Sequence, residues 1–221
     1  MQDKTDLAAL IGSRICHDLI SPIGAIGNGV ELMMMDRSAA SPELALIAES
    51  VESANARIRF FRVAFGLAGA DQRIARSEVT GILTAMSRGG RLKLDWSSGT
   101  DLDRRDVKLA FLLLQCLETA LPYGGSIRTI HHAAGHGGAN ADETGSGEAG
   151  WQIVAEAARM RAEPRFWDMF HPDFSGMPAS DAEERPVPAS HVQFALALGE
   201  LRIRGQNLSC GIGDGVIRLG W

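Results

Sequence analysis

Two apolar stripes with heptad spacing, separated by a short polar break, constrain this chain more than any other feature. Stepping from Gly12 by four and three gives Cys16, Leu19, Ile23, Ile26, Val30 and Met33, apolar or small at every place. A second run, Leu44, Ile47, Val51, Ala54, Ile58, Phe61 and Phe65, repeats the alternation. That period belongs to helices packed side by side along a seam. The first helix is expected from Asp3 or Thr5 to Met35, roughly 45 Å long, which suits a bundle better than an ordinary globular helix. Residues Asp36–Ala40 make the turn. Ser41 then caps a second helix, with Pro42 at its first position and Glu43 at the positive end of the dipole. Gly66 and Gly69 should close it.

Two antiparallel helices with one seam each cannot enclose a core, because each stripe keeps one side wet. Pairing with a second copy makes a four-helix bundle and removes that exposure. A buried Leu, Ile or Phe gains roughly 1.5–3 kcal/mol, so about ten such positions per chain favour a homodimer. The alternative is a hairpin that packs on the rest of its own chain.

The totals narrow the class of partner. At 221 residues the chain holds one large domain or two small ones, and 45% hydrophobic content is ample for a core. A net charge of −5 argues against nucleic acid or an anionic membrane as the main partner. Cys16, Cys116 and Cys210 are scattered, with neither metal spacing nor an even framework, as reduced thiols are. The start Met1–Asp6 is polar and no apolar run approaches a membrane span, so a soluble, cytoplasmic protein is expected.

From about Arg73 the pattern changes. Ser77 should cap a helix over Glu78–Met86, and Arg91–Trp96 alternates like a half-buried strand. Asp103–Leu121 is a strongly apolar helix ending at Pro122-Tyr123-Gly124-Gly125. Ser126–Ile130 and Trp151–Ala155 read as strands around the Gly-rich loop Gly135–Gly150, and Pro164–Met177 as an irregular apolar segment. Pro188–Arg204 is a helix, followed by strands Leu208–Ile212 and Val216–Trp221 around Gly213-Asp214-Gly215. The fold class expected is α+β: residues 1–70 a helical hairpin for dimerisation, residues 73–221 an α/β sandwich.

The chemistry points to the first helix. His17 is followed by Asp18 and, five residues on, by Pro22, in the run Ile15–Ile26; His17 lies one place off the seam, where its ring flanks the buried stripe. His-Asp-Leu-x-Ser-Pro-Ile-x-x-Ile resembles the H-box of two-component histidine kinases, with Ile20 where a basic residue is common. The element order after Arg73 is similar to the ATP-binding domain of those kinases, and Leu117–Ile127 resembles the end of its N-box and the next strand.

Under that resemblance the nucleotide boxes are missing. Cys116 stands where an asparagine would hold magnesium, and a thiol is a poor ligand for so hard a cation. The strand Ile153–Arg159 contains no glycine where Asp-x-Gly-x-Gly is needed. Ala189–Ala195 precedes and opens the last helix with side chains that would block backbone approach to phosphate. Gly213-x-Gly215 lies after that helix and does not substitute.

An H-box on a dimeric hairpin, joined to a kinase-like domain without nucleotide boxes, resembles the ChpT-type histidine phosphotransferases. The resemblance implies a phosphorelay enzyme that takes a phosphoryl group from the receiver aspartate of a hybrid kinase onto His17. It then passes the group to the aspartate of a response regulator. The receiver would supply Mg2+, and this chain would bind no cofactor or metal. Asp18 would orient His17, or be a solvated carboxylate without a role. Ile20, Ser21, Gly24, Asn28 and Glu31 lie at helical spacing on the side of His17 and form the expected docking face. Gly24, Gly27 and Gly29 each cost about 1 kcal/mol in helix propensity, which close approach of a partner helix would explain. Arg59 and Arg62, brought level with His17 by the turn, would meet phosphate or an acidic receiver pocket, or be a solvated basic face. Other readings are an active or phosphatase-type histidine kinase fragment, and a non-catalytic dimeric adaptor for receiver domains.

Overall fold

A computed structural model describes residues 12, 19–20, 23–35, 41–69, 71–132, 150–171 and 187–221. His17, Asp18, Ser21, Pro22, the turn at 36–40 and the loop at 135–149 lie outside them. The chain is a mixed α+β protein of two compact units, Met1–Gly89 with Leu102–Lys108, and Gly90–Asp101 with Leu109–Trp221.

In the first unit, α1 covers residues 23–35 and α2 covers Pro42–Ala64. Ser41 caps α2 as expected, its Oγ accepting from the Leu44 amide at 3.2 Å, with Pro42 just inside the helix. The helix ends at Ala64 with Phe65 as its C-cap in right-handed geometry, so neither Gly66 nor Gly69 acts as a left-handed cap. A side-chain carbon on Gly66 would strike the Arg62 carbonyl oxygen, which is why a glycine follows. Two faces of α2 are apolar. Ile58 and Phe65 belong to the heptad seam, whereas Ala56, Phe60, Val63 and Ala64 are buried on a second stripe. That second stripe meets α3 (Arg76–Ser87), whose Val79, Ile82 and Leu83 are fully buried. α3 starts one residue before Ser77; its N-cap is Ala75, which offers no side-chain bond. Three-residue strands β1 (Arg73–Ala75) and β3 (Asp101–Asp103), unmarked by any alternation, pair with each other.

The second unit is built on a five-stranded mixed sheet. Its strands are β2 (Leu92–Ser97), β4 (Gly125–His132), β5 (Gly150–Glu156), β6 (Ser209–Gly213) and β7 (Val216–Gly220), in the order β2-β4-β5-β7-β6. Only β2 and β4 run parallel, because α4 (Arg104–Ala120) lies between them in sequence. Alternation places Ile127 and Thr129, Trp151, Ile153 and Ala155, Ile217 and Leu219 inward, all nearly fully buried. From Leu109 to Leu114 every residue of α4 is buried, and Phe111 meets the inward Trp96 edge-on at 6.1 Å. The turn after α4 demands glycine. Gly124 has φ +95°, and a side chain there would press on the Arg91 carbonyl. Short helix α5 (Pro164–Trp167) and the turn Asp168–Phe170 occupy the segment expected to be irregular. The helix expected over Pro188–Arg204 begins as a 3-10 turn, Ala189–His191, and continues as α6 (Val192–Arg204), capped by Gly205 at φ +60°. Among the described residues no helix is long and apolar enough to cross a membrane.

Candidate functional site

On the helical hairpin the described docking positions fall on an accessible face. Ile20 and Gly24 are half-buried, while Asn28 and Glu31 are exposed. Gly27 and Gly24 part company here. A side-chain carbon at Gly27 would come within 3.3 Å of Val51 Cγ1, so its smallness serves the contact with α2. One added at Gly24 or Gly29 would meet nothing within 4 Å.

The hairpin runs in a fixed register. Gly12 lies against Phe65, at 3.5 Å from its Cβ for an added carbon, and Gly27 against Val51. Arg59 is exposed. Arg62 is more engaged. Its Nη2 lies 3.7 Å from Glu78 Oε1 on α3, and Arg104 Nη2 donates to its carbonyl oxygen at 3.4 Å. Glu78 and Arg104 carried no signal in the sequence, since the three residues come from separate elements.

At the hinge between seam and turn, the single chain leaves apolar surface open. Ile26 is 54% exposed, Met33 56% and Ile47 48%, although all three are seam positions. Ile23, Ile26, Leu46, Ile47, Ser50, Val51 and Ala54 line an apolar groove of about 310 Å3.

The three segments compared above with kinase nucleotide boxes lie in the second unit. Cys116 is fully buried, and desolvation pushes its thiol well above the ordinary range. After β5 the chain lies across the end of α4: the Arg161 amide donates to the Ala120 carbonyl at 2.9 Å, and Arg159 covers the Tyr123 ring at 4.6 Å. At the start of α6, His191 stacks on Phe166 with centroids 4.0 Å apart. Phe166, Trp167 and Phe170 all pack around the buried Phe194. Helical spacing in Phe166-Trp167-x-x-Phe170 after Pro164 was the available signal for this cluster.

Both described thiols should be poor nucleophiles. Partial burial raises Cys210 to about 11, and full burial holds Cys116 well above the ordinary thiol value, so each is protonated near neutral pH. Iodoacetamide followed by peptide mass mapping should show slow modification of both in the folded protein. Labelling of Cys210 should climb as pH approaches its raised value. Rapid labelling of Cys116 at neutral pH would contradict its buried place on α4.

The profile of the family described as the histidine phosphotransferase C-terminal domain matches residues 76–215. Protein phosphotransferase ChpT of Brucella abortus (strain 2308) is 33% identical over 199 residues, covering 88% of this chain and 86% of that protein. The chain belongs to the histidine phosphotransferase family. A solved structure of a bacterial phosphotransferase superposes with a TM-score of 0.63 at 28% identity, over 97% of this chain and 95% of that one. The profile starts with α3 and takes in all of α4, α5, α6 and every strand of the five-stranded sheet except β7. The helical hairpin, with the H-box-like run, precedes it.

Proposed function

We propose that this histidine phosphotransferase relays a phosphoryl group between receiver domains through His17. What carries the proposal is the coincidence, in one family member, of a His-Asp-Leu-x-Ser-Pro run on a helical hairpin with nucleotide positions filled by other groups.

Imidazole is a competent nucleophile near neutral pH. A ring nitrogen of His17 attacks the phosphorus of a receiver's aspartyl phosphate in line; the P–N bond forms as the P–O bond to the aspartate breaks, and the carboxylate leaves. Asp18 orients the ring and raises its basicity. The receiver supplies Mg2+, and this chain needs to add the nucleophile, a docking face and positive charge. Ile20, Ser21, Gly24, Asn28 and Glu31 form that face, with Arg59 and Arg62 across the hairpin. The donor is the receiver of a hybrid histidine kinase and the acceptor that of a response regulator, in the cytoplasm. As a functional division, residues 1–70 carry dimerisation and phosphotransfer, and residues 73–221 form an ATP-binding-like domain without its nucleotide site. A second copy covers the groove around Ile26 and Ile47 and completes a four-helix bundle.

The test has two arms. Incubation with labelled ATP and magnesium should leave the protein unlabelled, and calorimetry should detect no binding of ATP. Adding a receiver domain charged from radiolabelled acetyl phosphate should label it. Micromolar affinity for ATP with labelling of His17 would make the chain an active kinase. No label from any charged receiver that nevertheless binds would make it an adaptor.

A further inference from the structure

We infer that the basic surface around Leu67, where α2 gives way to β1 and α3 and where α4 begins, docks an acidic face of the receiver domain. The inference rests on the phosphotransfer reading and deepens it by adding a contact for the protein partner. All the residues concerned belong to the first unit.

The chain carries a net charge of −5, yet residues 57–78 and 102–108 hold eight cations against four carboxylates. Hydrogen bonds gather these segments. The Arg104 amide donates to the Gln72 carbonyl at 2.9 Å, and Arg104 Nη2 donates to the Arg62 carbonyl at 3.4 Å. Arg105 Nε donates to the Ala68 carbonyl at 3.3 Å. Arg59, Arg73, Arg76 and Arg105 are exposed, and Arg62 and Arg104 are half-buried. The guanidiniums stand near enough to oppose one another. Burial first, then the Arg62 charge, holds Arg104 below its ordinary value, with Glu78 acting the other way.

Helix stability does not account for where these cations stand. Cations favour the carboxyl end of a helix, where the dipole is negative. Arg76 is instead the first residue of α3, and Arg104 and Arg105 are the first two of α4. Neither helix has a basic residue in its last turn. Glu78 and Asp106, in the same first turns, offset only part of the charge. Ion pairs at such exposure add little stability. Positive charge in surplus, held at the unfavourable ends of two helices, suits an anionic partner.

Leu67 decides which kind. It is 45% exposed; Gly66 before it packs on the Arg62 carbonyl, and Ala68 after it accepts from Arg105. An apolar side chain beside a charged rim matches a folded protein surface, where apolar contact and steering charge act together. A polyanion such as nucleic acid would use the cations and leave Leu67 idle.

Association of the full-length protein with an uncharged receiver domain, the one used in the transfer assay, tests this across ionic strength. Arg73→Gln, Arg76→Gln and Arg105→Gln combined should slow association about tenfold at low salt. The difference should shrink below about twofold at about 1 M salt, where the Debye length is about 3 Å. Lysine at the same three positions should restore most of the rate. Leu67→Ser should leave association within about twofold and speed dissociation roughly fivefold. Melting temperatures of all these variants should stay within about 2 °C of the unmutated protein. Equal receiver kinetics in the unmutated protein and the triple Gln variant would overturn the docking site. So would a fall of more than about 5 °C in that variant, which would make the arginines structural. Heparin or duplex DNA binding more tightly than the receiver, lost in the triple Gln variant and kept in Leu67→Ser, would overturn it by assigning the surface to a polyanion. None of these readouts involves His17, so they leave its role to the His17→Ala assay. An unmutated protein that binds no receiver would remove the phosphotransfer reading as well.

Discussion

His17→Ala should abolish label transfer from a charged receiver while receiver binding persists. The expectation follows from what the imidazole does and from where the other histidines are. The nucleophile forms the covalent phosphoramidate, and no neighbouring group can replace it; loss of such a group removes the step and not a fraction of it. His131 is half-buried and packs on Trp151 at 4.4 Å, and His191 is stacked on Phe166. His132 and His171 are exposed, but neither opens a His-Asp-Leu-x-Ser-Pro run; His171 is followed directly by Pro172 and Asp173. His136 lies in the Gly-rich loop. Docking depends on a broad face, so deletion of one ring should leave affinity within about threefold. Gly24→Gln separates the two properties in the other direction. Nothing lies within 4 Å of an added side-chain carbon at Gly24, so the hairpin accommodates the glutamine, and only a partner seated there would meet it. Receiver affinity should fall and the nucleophile should remain. Normal affinity and transfer by Gly24→Gln would place docking elsewhere, and residual labelling of His17→Ala would remove His17 from the relay.

How much of this was legible in the sequence depends on how local the determining signal is. α4 and the strands β2, β4, β5 and β7 announced themselves, because runs of apolar residues or strict alternation encode burial residue by residue. Ser41 and Pro42 placed the start of α2 for the same reason, since a cap acts within one turn. The end of α2 was harder. A glycine after a helix suggests a left-handed cap, yet Gly66 is required by proximity to the Arg62 carbonyl, a contact that spacing does not distinguish. The heptad template also hid half of α2: beside Ile58 and Phe65 runs the stripe Ala56, Phe60, Val63, Ala64, and a helix with two partners satisfies two periodicities at once. α5 was passed over because its four residues are too few to set a period; the helical spacing Phe166-Trp167-x-x-Phe170 emerges only when the turn after it is included. At the candidate site, the expectation for the H-box-like run was readable from residue order. Glu78 and Arg104 were not, because nothing local marks residues that α3 and α4 deliver to one carbonyl and one guanidinium.

Ile26→Asp combined with Ile47→Asp should convert the protein from a dimer to a folded monomer. The choice of positions decides what the experiment means. Val30 is also on the seam, but it is only 7% exposed in the single chain, so a carboxylate there would damage the hairpin itself. Ile26 and Ile47 are 54% and 48% exposed in the single chain, where an aspartate would face water at little cost. Both line the apolar groove with Ile23, Leu46 and Val51, the surface that a second copy would cover. In a four-helix bundle each aspartate enters a dry seam, and the symmetry doubles the number of buried charges. An uncompensated carboxylate costs several kcal/mol there, and four of them exceed what an interface of two hairpins supplies. Light scattering at micromolar concentration should therefore show twice the 23.7 kDa chain mass for the unmutated protein and one chain mass for the variant. Far-ultraviolet circular dichroism should show helix content largely kept. A single-chain mass for the unmutated protein would refute the dimer outright. A variant that stays dimeric would move the interface away from the Ile26–Ile47 groove.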